Sequence, residues 1–172
     1  MSDCIYSSGY TLTCKNVISG VKDVWLGNWN SGITVTINSD DVVTAIANPG
    51  TWYNLKPWME SAEFITEGEH AENGTNRYNS TLSMEFRKYD GKLMALLTRI
   101  SDSNISAIVQ DQNSLFWILG VRSAPGDVNA STLGVGKAFS DLHGGSFSII
   151  FKGAEPENEI TEAAKDTITI GN

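Results

Sequence analysis

A chain of 172 residues with 12 Lys plus Arg against 20 Asp plus Glu has a net charge of -8 and a pI near 4.6. That balance argues against gripping duplex nucleic acid, which takes Lys and Arg to displace condensed counterions, though not against a surface that DNA slides past. The length predicts a single domain, residues 1–172, able to bury about two thirds of its unfolded surface without disulfide or metal, and no apolar run approaches the ~18 residues of a membrane span.

Residues 1–10 are polar, with Asp3 the only charge, and do not read as a signal peptide. A chain made and used in a cytosol, or assembled there, is the expectation. Cys4 and Cys14 lie in the N-terminal arm, residues 1–20, without Cys-x-x-Cys spacing. They read as reduced thiols, with a disulfide between them as the alternative.

Strand signals dominate the chain beyond this arm. Residues 21–29 are rich in apolar and aromatic side chains and end at the Asn30-Ser-Gly32 turn. In residues 33–38, Ile33, Val35 and Ile37 alternate with Thr34 and Thr36. Residues 42–47 form another strand between the Ser39-Asp-Asp41 turn and Asn48-Pro-Gly50.

A long hairpin is predicted next, with arms at 62–70 and 78–88 and turn-forming residues 71–77 between them. Its return arm places Leu82, Met84 and Phe86 on one face and Thr81, Ser83 and Glu85 on the other. The outgoing arm adds Glu63, Glu67 and Glu69 to the polar face, with Ile65 as an apolar exception. A turn this long exceeds the usual two to five residues, so residues 69–77, and Glu72, Asn73, Gly74, Thr75 and Asn76 within them, are expected to contact another molecule.

One helix is predicted from Asp90, a capping residue, to about Ser101, with Leu93, Leu96, Leu97 and Ile100 on one stripe. Residues 105–111 and 115–121 form a second hairpin, apolar on both faces and therefore central. Residues 123–133 read as loop. From Trp117 the chain reads as a strand ending at Gly120, a loop, a short strand, a tight Asp141-x-x-Gly144 turn and a last strand from Phe147 to Gly153. The acidic tail, residues 156–172, ends in a strand-like Thr167-Ile-Thr-Ile170.

No residue set suggests catalysis. The two histidines, His70 and His143, have acidic neighbours but lie at a hairpin end and in a turn. The acidic run Glu60, Glu63, Glu67, Glu69 and Glu72 lacks the Gly-punctuated Asp spacing of a calcium loop. Gly134-x-Gly136 lacks the third glycine and the helix of a nucleotide loop, and there is no Gly-x-Ser-x-Gly elbow. Trp25, Trp29, Trp52, Trp58 and Trp117 read as core or subunit-interface anchors rather than a sugar-stacking platform. No enzymatic role, cofactor or metal is expected.

The order Leu119-Gly120, Gly136-x-Ala138-x-x-Asp141-x-x-Gly144 and Gly153-x-Glu155 resembles the C-terminal half of tail tube proteins of long-tailed phages. The long glutamate-bearing hairpin, the helix and the second hairpin follow the same order. The stretch from Cys14 to Trp29 resembles small virion structural proteins of phages infecting Bacteroidetes, including crAss-like phages. The resemblance implies a mainly β fold, a tail-tube-type β-sandwich or barrel with one packed α-helix and a long protruding hairpin. It implies a virion structural protein assembled in the host bacterial cytoplasm. Copies would form rings, commonly hexameric with twelve the alternative, that stack around a channel for genome ejection. Its partners would be further copies and neighbouring tail or connector proteins, with DNA passing through unbound. Glu63, Glu67, Glu69, Thr81, Ser83 and Glu85 are then the candidate lumen lining, and Glu72, Asn73, Gly74, Thr75 and Asn76 the candidate inter-ring loop. The alternative from the residues is a β-sandwich binding module, such as a capsid decoration or glycan-binding fibre domain.

Overall fold

Segments rich in β-branched and aromatic residues, cut apart by Gly, Pro, Asn and Asp, become strands that are antiparallel in all but two pairings. The computed structural model describes residues 18–58, 60–72, 74–137, 141 and 143–171. In chain order these form β1 (Val21–Asn28), β2 (Thr34–Ile37), β3 (Val43–Ala47), β4 (Thr51–Leu55), β5 (Ala62–His70) and β6 (Asn76–Phe86), then helix α1 (Gly91–Ser101). There follow β7 (Ile105–Asp111), β8 (Phe116–Leu119), β9 (Asp127–Val135), β10 (His143–Gly153), β11 (Asn158–Ile160), helix α2 (Glu162–Lys165) and β12 (Thr169–Gly171).

The strands make two sheets. The larger has the order β12-β4-β1-β7-β8-β11-β3-β2 and the smaller β5-β6-β10-β9. Strands β1, β7 and β8 lie at the middle of the larger sheet and are apolar on both faces, as their sequences require. Val24, Leu26, Ala107, Val109 and Leu119 face the smaller sheet, where they meet Leu82, Met84, Phe147, Ile149 and Phe151. Trp25, Ile108 and Ile118 face the other way, into a second core with Val43, Trp52, Ile160 and Ala164. The larger sheet is therefore one layer of a sandwich and also curls round a core of its own, as a half-barrel. Each large side chain so buried contributes about 1.5–3 kcal/mol.

Helix α1 covers the first core with Leu93, Leu97 and Ile100, while Leu96 is half-buried. The Asp90 carboxylate caps it by accepting from the Leu93 N–H at 2.9 Å, and that bond holds its pKa below the ordinary value.

The mainly β architecture, the packed helix and the long hairpin are as the sequence implies. Several details differ. Residues 123–133 are not simply loop, because β9 occupies Asp127–Val135. Its small and hydroxyl side chains give no apolar alternation, and only pairing with β10 makes it a strand. Gly144 belongs to no turn; it lies in β10 opposite Gly134. The hairpin arms pair as far as His70 and Asn76, which leaves a loop of residues 71–75. Ala71 N–H donates to Thr75 O at 3.0 Å and Gly74 N–H to Ala71 O at 2.9 Å. Five residues is an ordinary hairpin loop, so turn length alone gives no reason to expect a contact here. A second short helix, α2, and strands β4 and β11 also have no counterpart in the sequence pattern. The pair Cys4 and Cys14 lies outside the described residues, as does Asn73.

Candidate functional site

The register of the smaller sheet sorts its side chains into two chemically distinct faces. Opposed pairs Ala62–Met84, Phe64–Leu82, Met84–Phe147 and Leu82–Ile149 turn inward. Their neighbours turn outward in cross-strand rows. One row runs Glu63, Ser83, Ser148, Ala130, and another Glu85, Ser146, Thr132. A third runs Ile65, Thr81, Ile150, Asp127, and a fourth Glu67, Asn79, Lys152. Glu69 opposes Arg77 nearest the hairpin tip. The parity of β-strands thus puts Glu63, Glu67, Glu69, Thr81, Ser83 and Glu85 on one face.

That face is a shallow trough floored by hydroxyls. A hollow of 320 Å³ lies over Ser83, Ser131, Thr132, Ser146 and Ser148, with Glu63 and Glu85 on one side. Carboxylates are concentrated on β5 and β6, whereas Arg77 and Lys152 stand on the same face near the tip end. Those two cations were not expected from the sequence, because Lys152 reaches this face only through the β6–β10 pairing. Ile150 joins Ile65 as a second apolar exception for the same reason.

Among the described residues the sheet ends at β5 on one side and β9 on the other, each nine residues long. Neither strand contains Pro or Lys, the residues that commonly guard an edge. Every residue of β5 from Ile65 to His70 is exposed, and most of β9 is as well.

Elsewhere the candidate residues divide. Trp25 and Trp52 are buried in the second core, and Trp117 is half-buried with its ring 6.4 Å from Phe64. Trp29 and Trp58 are exposed. The five tryptophans share no single face, which removes the stacking platform. His70 Nδ1 lies 2.8 Å from Asn76 Oδ1 beside the loop, and His143 packs edge-on to Tyr89 with ring centres 6.4 Å apart. Among the described residues no group of three or more His, Cys, Asp or Glu is placed to hold a metal ion. No helix among them is long and apolar enough to cross a membrane.

One titratable group escapes any reading of sequence pattern. Glu157 is largely buried where β10 leads into β11, and burial pushes its pKa up to about 7, opposed by hydrogen bonds from Ser123 and Gly120. Beside it Arg122 Nη1 donates to Asn158 Oδ1 at 3.0 Å and Nη2 pairs with Glu155. Asn158 Nδ2 in turn donates to Asp41 O at 2.7 Å. No spacing in the sequence signals this cluster, since its members come from three separate turns. No family model, curated protein or solved structure matches the chain.

Proposed function

We propose that this chain is a virion structural protein of the tail tube type, whose copies close into a ring around a DNA-conducting channel. The observation that carries the reading is the smaller sheet: apolar on its inner face, polar and acidic on its outer face, and, among the described residues, open at both nine-residue edges. An open edge invites another strand. Pairing β5 of one copy with β9 of the next is a heterologous contact, and such contacts close into rings when the rotation permits.

The dimensions suit a channel. Strands lie ~4.8 Å apart and tilt ~40° in closed barrels, so roughly six copies, or about 24 strands, give a barrel about 45–50 Å across at the backbone. Its lumen is wider than a DNA duplex. The trough face would line it with carboxylates and hydroxyls. Carboxylates repel phosphates and hydroxyls hold water, so DNA passes without the counterion release that makes it bind. Neighbouring tail or connector proteins would meet the ring ends, and the reading calls for neither catalysis nor a cofactor.

Negative-stain microscopy and analytical ultracentrifugation of the purified protein test this. Closed rings with a central channel are expected. A strict monomer at high concentration, with no ring in the virion, would overturn it.

A further inference from the structure

The hairpin carries opposite chemistry at its two ends. At its base, where the chain enters β5 and leaves β6, there is a groove of 590 Å³. Its floor is apolar, made by Trp58, Phe86, Leu93 and Leu96, and Trp58 is 53% exposed. Its rim is cationic: Lys56, Arg87, Lys88 and Lys92 stand round it with Asp90 as the opposing charge. Four of the chain's 12 cations therefore surround one groove in a protein of net charge -8. The Arg87 guanidinium lies 5.0 Å from the centre of the Trp58 ring and 3.8 Å from Glu85. Lys88 reaches Asp90 at 3.3 Å, whereas Lys56 and Lys92 form no ion pair among the described residues.

At the other end stands the tip. Glu67, Glu69 and Glu72 are exposed there, with Arg77, His70 and, in the row of Glu67, Lys152 beside them. Strand β6 has 11 residues, so base and tip are about 36 Å apart along one axis at ~3.3 Å per residue. A basic groove and an acidic tip at opposite ends of one axis complement each other in a second copy, never within one.

We propose that the groove receives the hairpin tip of a second copy, so that subunits stack head to tail along the hairpin axis. Carboxylates of Glu69 and Glu72 meet Lys56 and Lys92, and the side-chain stems of the tip cover Trp58. The stacking of whole rings rests on the tail tube reading; the pairwise contact requires only two copies. Because its charges are at the surface, it weakens as salt shortens the Debye length to ~3 Å at 1 M.

Charge exchange tests the contact. The groove variant is Lys56→Glu with Lys92→Glu, the tip variant Glu69→Lys with Glu72→Lys, and a third variant combines all four. Circular dichroism and urea midpoints check that each folds. Stacked assemblies, counted by microscopy and sedimentation, should fall at least tenfold in the groove and tip variants and return in the combined one. Rings that stack regardless of these exchanges would overturn the contact and leave the ring reading standing. Open single-file chains, lost in either variant and regained in the combination, would uphold the contact and remove the ring. Wild-type protein that stays monomeric at every concentration would overturn both. If polyglutamate perturbs Trp58 fluorescence while the tip variant still stacks, the groove takes another acidic polypeptide and the second copy is excluded.

Discussion

Ser123 donates its hydroxyl to Glu157 Oε1 at 2.7 Å, and so ties together two of the four places where the chain crosses between the sheets. Ser123 lies between β8 and β9, Glu157 between β10 and β11. The same hydroxyl oxygen accepts from Gly120 N–H at 3.1 Å, so the crossing is held by linked bonds.

The buried Glu157 carboxyl should make stability pH-dependent in this region. Its folded pKa is about 7 against 4.5 ordinarily, so between those values the folded chain holds a proton the unfolded chain has released. This contribution is fully present below pH 4.5 and is lost as pH rises through about 7. A fall of up to about 3 kcal/mol between pH 5 and pH 8 is expected from urea midpoints. Glu157→Gln should flatten that dependence; an unchanged slope would show that another group carries it.

Gly27 faces the indole of Trp52, which is fully buried in the second core and donates its Nε1–H to Pro49 O at 2.5 Å. A Cβ on Gly27 would stand 2.7 Å from Trp52 Cδ2. Gly27→Ala should cost about 1–3 kcal/mol by overpacking, and Trp52→Ala about 3–5 kcal/mol through the cavity and the lost bond. Denaturant titration of both variants measures this. A neutral Gly27→Ala would mean the ring shifts freely.

Reversing Glu63, Glu67 and Glu85 to Lys changes side chains on the outer face of the smaller sheet and no core contact. The fold and ring formation should persist within about 0.5 kcal/mol in stability. Genome passage should slow, because lysines in a channel would bind phosphate and release counterions. A structure of the assembly with these side chains on its outside would refute the lining.

Removing residues 72–76 takes away most of the loop and one strand pair of the hairpin, and no side chain that is buried among the described residues. The urea midpoint should stay near that of the intact protein, while stacked assemblies are lost. Normal stacking by the shortened protein would deny the tip any role in it.

Elements with a local pattern were legible in the residues alone: β1, β2, β3, β7 and β8, the arms of the β5–β6 hairpin, α1 with its Asp90 cap, the Phe147–Gly153 part of β10 and the strand-like tail that contains β12. Alternation along the return arm was enough to divide Leu82, Met84 and Phe86 from Thr81, Ser83 and Glu85, because side chains in a strand must point to opposite faces. Everything else depended on contacts between distant segments. Strand β9 exists because β10 supplies its hydrogen-bond partners, and its small hydroxyl residues carry no apolar period of their own. Lys152 and Ile150 join the glutamate face only through the β6–β10 register. Glu157 acquires its shifted pKa from burial among turns far apart in the chain. The cationic groove likewise gathers Lys56, Arg87 and Lys92 from either side of a hairpin whose tip lies about 36 Å away, and no local pattern can record which ends of a strand will be left facing solvent.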